Sequence, residues 1–299
     1  MEIDWIPGME GICLKDLPEF ALATKCDDIW FSFPVGVAQA THKVSHMIIN
    51  TFKELESRLV DELKSIFPNI YTVGPLQLLL DQTTENKTKD HHSLWKEEPE
   101  CVQWLHSKEL NSVVYVNFGS LIFMSLQDLL EFGWGLVNSN HYFLWVLRPD
   151  LVNGKPVAFP QELKEAMNKK GFIGSWCSQE EVLNHPAVGG FLTHCGWGSV
   201  NESLSAGVPM LCWPSMGDQR INCRQMCKEW GVGMEIGKNA KRGEVEKLVR
   251  ALMEGLEGER IRKKALEWKN IAKIATDSNG SSCLDMKNLV DEIIRLSRN

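Results

Sequence analysis

The sequence has no excess of basic residues, and this absence excludes several classes of partner. Lysine and arginine total 32 against 39 aspartates and glutamates, which gives a formal net charge of −7. A chain with this balance has little electrostatic attraction for nucleic acid or for an anionic membrane surface. We therefore expect neither of them as a partner.

Long apolar runs are also absent. No run approaches the roughly 20 apolar residues that a helix needs to cross a bilayer, so we predict no membrane span. The N-terminus, Met1-Glu-Ile-Asp4, has neither a basic start nor an apolar core, unlike a signal peptide. These features predict a cytoplasmic protein.

No Cys-x-x-Cys pair occurs, although the chain contains nine cysteines. Several lie in apolar segments such as Met210–Trp213, as is typical of reduced, buried thiols. A zinc site formed by His194, Cys195, Cys223 and Cys227 is conceivable, but their spacing matches no usual ligand pattern. We therefore predict no metal site.

The composition that remains is typical of a globular protein, and the chain of 299 residues is long enough for two modest domains. Turn-forming residues make 1–26 irregular, and the polar segment 77–98 is typical of a linker. Between them, periodicity predicts a helix at 27–45 interrupted by Pro34, and then a strand, a helix and a strand. These three lie at His46–Phe52, Glu54–Phe67 and Asn69–Val73. Their order indicates the end of a parallel-sheet domain.

A second alternation of strands and helices follows residue 98. Its pattern predicts an α/β fold with a doubly wound sheet of the nucleotide-binding type. The predicted strands are Val113–Phe118, Tyr142–Leu147, Phe172–Trp176, Phe191–Thr193, Pro209–Trp213 and Gly233–Ile236. The predicted helices are 125–138, 199–206, 218–230, 242–254, 259–275 and 282–296.

The stretch from Trp176 to Gln219 carries the clearest chemistry. A short strand ends at Thr193, and a turn with Gly196 and Gly198 leads into a helix. This arrangement directs free backbone N–H groups and the positive end of the helix at an anion, and the glycines allow the backbone to approach it closely. A phosphate is the expected ligand. Gly119-Ser120 lies at another predicted strand-to-helix turn, so Ser120 is a candidate second donor.

Other residues indicate what the phosphate is attached to. Trp176 lies at the end of a strand, where an indole can stack on a base. The Glu202 carboxylate can accept hydrogen bonds from the two hydroxyls of a ribose. Asp218 and Gln219 offer an acceptor and a mixed donor–acceptor pair, which suit a sugar. Together these residues predict a nucleotide-sugar site.

Each of these residues also has a purely structural explanation. Ser199-x-x-Glu202 is a capping-box pattern, Asp218 could cap the next helix, and His194 could be a satisfied buried histidine. Gly119-Ser120 could simply begin a helix. The combination with Trp176 and the glycines favours the nucleotide-sugar interpretation.

The same stretch resembles the signature box of plant UDP-dependent glycosyltransferases that act on small metabolites. The similarity covers essentially the whole chain and is strongest to the branch with 7-deoxyloganetin and cyanohydrin glucosyltransferases. It implies that Trp176 and Gln179 hold uracil and ribose, that Glu202 holds the ribose hydroxyls, and that Cys177 is a further donor-binding residue. It implies diphosphate contacts at His194 and Ser199, and sugar contacts at Trp197, Asp218 and Gln219.

Two positions depart from the family pattern. The family usually has proline at the position of Ser178, a change that should only loosen a turn. It usually has asparagine reaching the phosphate at the position of Gly198. Losing a hydrogen bond to a charged group costs roughly 1.5–3 kcal/mol, so donor affinity should be weaker here.

The resemblance implies the GT-B fold, with two facing Rossmann-like domains. It divides this chain into half of an N-terminal acceptor-binding domain (1–76), a linker (77–98), a complete C-terminal UDP-sugar domain (99–280) and a returning helix (281–299). The family's catalytic histidine and its aspartate match no position here, and we expect them in a preceding segment of on the order of 150 residues, about one domain.

The implied reaction transfers glucose from UDP-glucose, with inversion and without a metal, to a hydroxyl of a terpenoid, cyanohydrin or phenol. Without the catalytic histidine, the chain should be a poor catalyst. Two alternatives stay open: an inactive module that binds a UDP-sugar or a partner through its exposed half-domain, and another GT-B enzyme such as an epimerase.

Overall fold

The computed structural model describes residues 1–22, 29–83, 96–148, 151–152 and 159–298. Contacts divide the chain into two compact units, one of residues 1–88 and 268–299 and the other of 89–267. The division at 76, 98 and 280 that the sequence suggested stays a prediction. Within the described ranges, no helix combines the length and apolar character that crossing a bilayer requires.

The first unit opens with two very short strands, β1 (Glu2–Ile3) and β2 (Ile12–Cys13), which pair antiparallel. Ile3 and Ile12 face each other in this pair, and both are buried. The prediction of irregular structure is therefore wrong for these strands, because two-residue strands are too short to show a periodicity. Residues 23–26 of that prediction lie outside the described residues.

A β-α-β unit follows helix α1 (Ile29–Thr41), which contains Pro34. It consists of β3 (Met47–Ile49), α2 (Ser57–Ile66) and β4 (Ile70–Thr72), with the two strands parallel. The predicted order is confirmed. Ile48, at the centre of the first strand, is 57% exposed.

The predicted linker contains a helix that the sequence interpretation missed, α3 (Leu76–Thr83). Leu79 is buried on it, so this part of the segment packs against the first unit. The polar character of 77–98 concealed the leucines at its start. Residues 84–95 lie outside the described part of the chain.

The second unit contains six parallel strands with helices between them. Three of its helices, α4, α6 and α7, were not predicted. Two are only six residues long, and α6 buries only Leu163 and Met167. In chain order the elements are α4 (Glu100–Leu105), β5 (Val113–Asn117), α5 (Leu126–Asn138), β6 (Tyr142–Val146), α6 (Gln161–Lys170), β7 (Gly171–Gly174), α7 (Gln179–Asn184), β8 (Val188–Thr193), α8 (Trp197–Ala206), β9 (Met210–Cys212), α9 (Gln219–Arg224), β10 (Gly233–Glu235), α10 (Arg242–Glu254) and α11 (Leu256–Thr276).

The strands of this sheet lie in the order β10-β9-β8-β5-β6-β7. From β5 the chain adds strands first towards one edge of the sheet, through β6 and β7, and then towards the other, through β8, β9 and β10. This confirms the predicted doubly wound sheet. Strand β5, buried along its whole length, pairs with β6 on one side and with β8 on the other, where Asn117 lies opposite Thr193. The turns that follow β5 and β8 are therefore neighbours at the carboxyl edge of the sheet, where ligands bind in such folds.

The last helix, α12 (Ser281–Ser297), packs on β4 in the first unit. The Asp285 carboxylate accepts hydrogen bonds from the backbone N–H and the hydroxyl of Thr72, both at 2.8 Å. The Ser282 hydroxyl donates to the carbonyl of Gly74 at 2.6 Å. The predicted helix at 282–296 is confirmed.

Helix α1 presents an apolar stripe that predicts self-association. Ile29, Phe33 and Val37 follow each other at intervals of four residues, and each is more than half exposed. Exposed apolar patches recruit other molecules. We expect the double variant Ile29→Glu/Phe33→Glu to associate less than the unchanged chain in sedimentation velocity at rising concentration.

Leu256→Glu is the matched control, because it removes an exposed leucine from the second unit. Equal association of all three proteins would show that the stripe does not drive self-association.

Candidate functional site

A cleft of ≈ 500 Å³ lies in the second unit at the carboxyl ends of β5 and β8. Its size is that of a small-molecule site. Nine of the eleven residues predicted to bind the donor line it, whereas Asp218 and Gln219 do not. The nine are Ser120, Trp176, Cys177, Gln179, His194, Trp197, Gly198, Ser199 and Glu202.

The N-terminus of α8 forms one wall of this cleft. Gly196 is the N-cap residue, so Trp197, Gly198 and Ser199 are the first three residues of the helix. Their N–H groups have no partner within the helix and carry the positive end of its dipole. Ser199 is therefore not the cap, and the capping-box explanation of Ser199 and Glu202 is wrong.

The Gln179 amide connects four other side chains around the cleft. Its oxygen accepts hydrogen bonds from the Tyr115 hydroxyl at 3.1 Å and from the Asn117 amide at 2.9 Å. Its nitrogen donates to the Ser199 hydroxyl at 2.8 Å and to the Glu202 carboxylate at 2.6 Å. All four hydrogen-bonding positions of the amide are therefore occupied, and Gln179 acts by holding Ser199 and Glu202 in place.

This network contains two residues that the sequence interpretation missed, Tyr115 and Asn117. An asparagine at the end of the apolar strand β5 was the available signal, because a buried amide needs partners. The Asn117 side chain also accepts from the N–H of Gly119 at 2.8 Å and so shapes the turn before Ser120. Burial raises the pKa of Glu202, while the bond from Gln179 lowers it.

Glu98 is a further residue that was missed, and it holds the loop that carries Trp176. Its backbone N–H donates to the Trp176 carbonyl at 3.0 Å. Its carboxylate accepts from the backbone N–H and the hydroxyl of Ser175, at 3.2 and 2.5 Å. Because 77 residues separate Glu98 from Ser175, no local pattern indicates this pair.

The His194 ring lies between two glycines. A Cβ at Gly119, whose φ is +73°, would lie 2.5 Å from the ring, and a Cβ at Gly196 would also overlap it. The Nδ1 atom is buried and has no hydrogen-bond partner among the described residues, whereas the ring makes a hydrogen bond with the Asn117 backbone. The satisfied-histidine explanation therefore holds for one ring nitrogen only. Burial lowers the pKa of His194 to about 4, although a hydrogen bond with the Asn117 backbone and the charge of Asp218 oppose this.

A family model described as UDP-glucoronosyl and UDP-glucosyl transferase matches residues 32–274. The chain belongs to this family. UDP-glycosyltransferase 85C1 of Stevia rebaudiana is 74% identical over 300 residues, which cover 100% of this chain and 62% of the relative. The 7-deoxyloganetin glucosyltransferase of Catharanthus roseus is 51% identical over 96% of this chain and 60% of its own length. The resemblance to this branch is thereby confirmed.

Solved structures of other UDP-glycosyltransferases have the same fold. UGT2 of Phytolacca americana, in complex with UDP-2fluoro-glucose and pterostilbene, has a TM-score of 0.83 and 28% identity, over 97% of this chain and 63% of that one. Os79 of O. sativa with UDP has a TM-score of 0.84 and 27% identity, over 94% and 63%. The α/β fold of the GT-B type is confirmed, and the chain spans about 60% of the length of its relatives.

Two of the three predicted sugar-contacting residues, Asp218 and Gln219, are engaged with their own helix and loop. The Gln219 oxygen accepts from the N–H groups of Ser215 and Met216, at 2.9 and 3.0 Å. This corrects the expected donor–acceptor pair, because the remaining groups for a ligand are the N–H donors. Asp218 occupies the N-cap position of α9 without a capping bond, and it accepts from the Asn222 amide at 2.9 Å. The sugar role of both residues stays a prediction.

The pKa of His194 predicts how stability depends on pH. The ordinary histidine pKa is about 6.5, so between about pH 6.5 and pH 4 the unfolded chain binds a proton that the folded chain does not. Stability should therefore fall as the pH is lowered through this window. We expect the urea midpoint to fall more steeply for the unchanged chain than for His194→Gln, which does not titrate. If the urea midpoints of the two proteins fall equally with pH, the assigned pKa of His194 is contradicted.

Proposed function

We propose that this chain is the donor-binding part of a glycosyltransferase that transfers glucose from UDP-glucose to a hydroxyl of a small plant metabolite. The observation that carries this proposal is that Trp176, Glu202 and the N-terminus of α8 line one cleft. They supply a stacking surface, a ribose acceptor and an anion site, which are the three groups that UDP requires. The names of relatives, including (R)-mandelonitrile beta-glucosyltransferase of Prunus dulcis, support glucose as the sugar.

The chemistry of this part of the protein is stabilisation of the leaving group. As the bond to the sugar breaks, negative charge grows on the β-phosphate of UDP. The helix N-terminus, Ser199 and His194 lie where they can stabilise that charge. The proposal assigns no role to a metal cofactor. Because its pKa of about 4 keeps His194 uncharged near neutral pH, its imidazole has a single N–H donor, and the phosphate competes with the Asn117 backbone for it.

The acceptor is proposed only as a class. Relatives are named for 7-deoxyloganetin and (R)-mandelonitrile, and solved neighbours hold pterostilbene or a trichothecene. These molecules share a compact, largely apolar body. We therefore propose a small hydroxylated terpenoid, cyanohydrin or phenol as the acceptor.

A general base for the acceptor hydroxyl is the second part of the reaction. His194, which lines the cleft, belongs to the leaving-group side, and no other residue here matches the family's base. We propose that residues 1–299 alone transfer glucose more slowly than a longer chain by a factor of about 10²–10⁴, the usual contribution of a general base.

The test measures UDP binding and glucosyl transfer separately. Calorimetry on Glu202→Ala should show UDP binding weaker by at least about tenfold, because a hydrogen bond to a charged group contributes roughly 1.5–3 kcal/mol. Glu180→Ala is the control, since it removes a carboxylate from the same cleft. Equal affinity of Glu202→Ala and the unchanged chain would refute the ribose assignment.

Transfer is then compared between residues 1–299 and a fusion with the preceding segment of the Stevia rebaudiana relative. UDP release from UDP-glucose with a phenolic or terpenoid acceptor should be much faster for the fusion. Binding without transfer by both proteins would support an inactive binding module. Equal transfer rates for residues 1–299 and the fusion would refute the proposal that residues 1–299 lack the general base.

Gly198 gives a sharper prediction about the phosphate. It is the second residue of α8, and a Cβ there meets no other heavy atom within 4 Å. Gly198→Asn should bind UDP about tenfold more tightly, equivalent to about 1.4 kcal/mol, because the amide adds a donor. Gly198→Ala should gain only stability, up to about 1 kcal/mol. If both variants bind UDP alike, the backbone N–H groups already saturate the phosphate.

A further inference from the structure

Four cysteines of the second unit converge beside the His194 turn. The Sγ atoms of Cys195, Cys212 and Cys223 lie within 4.8 Å of one another, and all three residues are buried. The Cys227 thiol makes hydrogen bonds with Cys212 and Cys223, and Cys227 is partly exposed. This group, the thiol cluster, takes no part in the donor cleft.

Three separate features of the fold produce the thiol cluster. Cys195 follows β8 with a φ of +67°, and Cys212 is the last residue of β9. Cys223 and Cys227 lie four residues apart and so point to the same side of their helix, where a π-helical turn begins at Gln225. Such turns are rare and are often found at functional sites.

The neighbouring strand leaves room for the thiols. A Cβ at Gly233 in β10 would lie 2.8 Å from the Sγ of Cys212 and 3.5 Å from the Sγ of Cys227. Any other residue at this position would therefore crowd the Cys212 thiol, whereas its contact with Cys227 would be an ordinary one. Cys227 is also partly exposed to solvent.

The distances suit a thiolate-bound ion. Zinc–sulfur bonds are about 2.3 Å, so sulfurs at the corners of a tetrahedron lie roughly 3.8 Å apart. The Sγ separations among Cys195, Cys212 and Cys223 are at most 4.8 Å, and they reach that value through shifts of less than about 1 Å. Cys227 lies outside this group of three, so its side chain must move further to become the fourth ligand. Each thiol that becomes a ligand releases its proton.

We propose that the thiol cluster binds one thiophilic d¹⁰ metal ion, of the Zn²⁺ or Cd²⁺ class, through Cys195, Cys212, Cys223 and Cys227. This corrects the set of zinc ligands considered from the sequence. His194 lines the cleft, and Cys212 takes its place in the set. The spacing of these cysteines along the sequence does not indicate the site, because its ligands come from two strand ends and one helix. The proposal does not depend on the proposed transferase activity.

The test uses the full chain, reduced and free of metal, titrated with Cd²⁺. Cadmium is the probe because sulfur-to-cadmium charge transfer absorbs in the ultraviolet. We expect a band that saturates at one Cd²⁺ per chain, is displaced by Zn²⁺ and is unaffected by Mg²⁺, which prefers oxygen ligands.

Variants identify the ligands. Cys212→Ala and Cys227→Ser should each weaken Cd²⁺ binding at least about tenfold. If Cys212→Ala does not fold, Cd²⁺ binding by Cys227→Ser is the deciding measurement, because Cys227 is partly exposed. Cys101→Ser is the matched control, because Cys101 is a buried thiol that bonds to another thiol, Cys177, outside the cluster. The proposal is overturned if the unchanged chain shows no band, if Cys227→Ser binds Cd²⁺ as tightly, or if Cys101→Ser abolishes the band.

Discussion

The parallel pairing of β5 with β8 is the constraint on which the site depends. Because Asn117 lies opposite Thr193, both strands end at the same level and their following turns are adjacent. One turn brings Gly119 to the His194 ring, and the other begins α8 with its N–H groups at the cleft. The reversal of strand order at this point leaves the crevice open. A shift of the register by one residue would separate the two halves of the site.

A second level of organisation comes from Gln179, whose amide holds the side chains before any ligand arrives. Ser199 and Glu202 are one helical turn apart on α8, and the same nitrogen donates to both. Asn117 and Tyr115 fix the other side of this amide. Side chains that are already ordered lose less entropy on binding. The ligand therefore meets a site whose geometry the protein has already set.

The sequence predicted contiguous features well and distant ones poorly. The strand, turn and helix around His194 lie within one stretch, so glycine positions and apolar periodicity were sufficient. The prediction of a doubly wound sheet followed from the regular alternation of strands and helices. In contrast, Glu98 and Tyr115 act on partners 77 and 64 residues away, and the thiol cluster joins three elements. An apolar segment such as Met47–Ile49 indicates a strand, but by itself it says nothing about how many strands surround it, and Ile48 is exposed.

The imidazole of His194 also limits how this part of the protein can vary among relatives. One ring occupies the space that a Cβ would need at both Gly119 and Gly196, which lie in different turns. Alanine at either position requires the ring to move or to be absent. The three positions should therefore change together during divergence: a smaller residue in place of the histidine removes the clash at both glycines, although the φ of +73° still favours glycine at 119. Covariation between the two turns in related sequences would then have one steric cause, the overlap of the His194 ring with a Cβ at position 119 or 196.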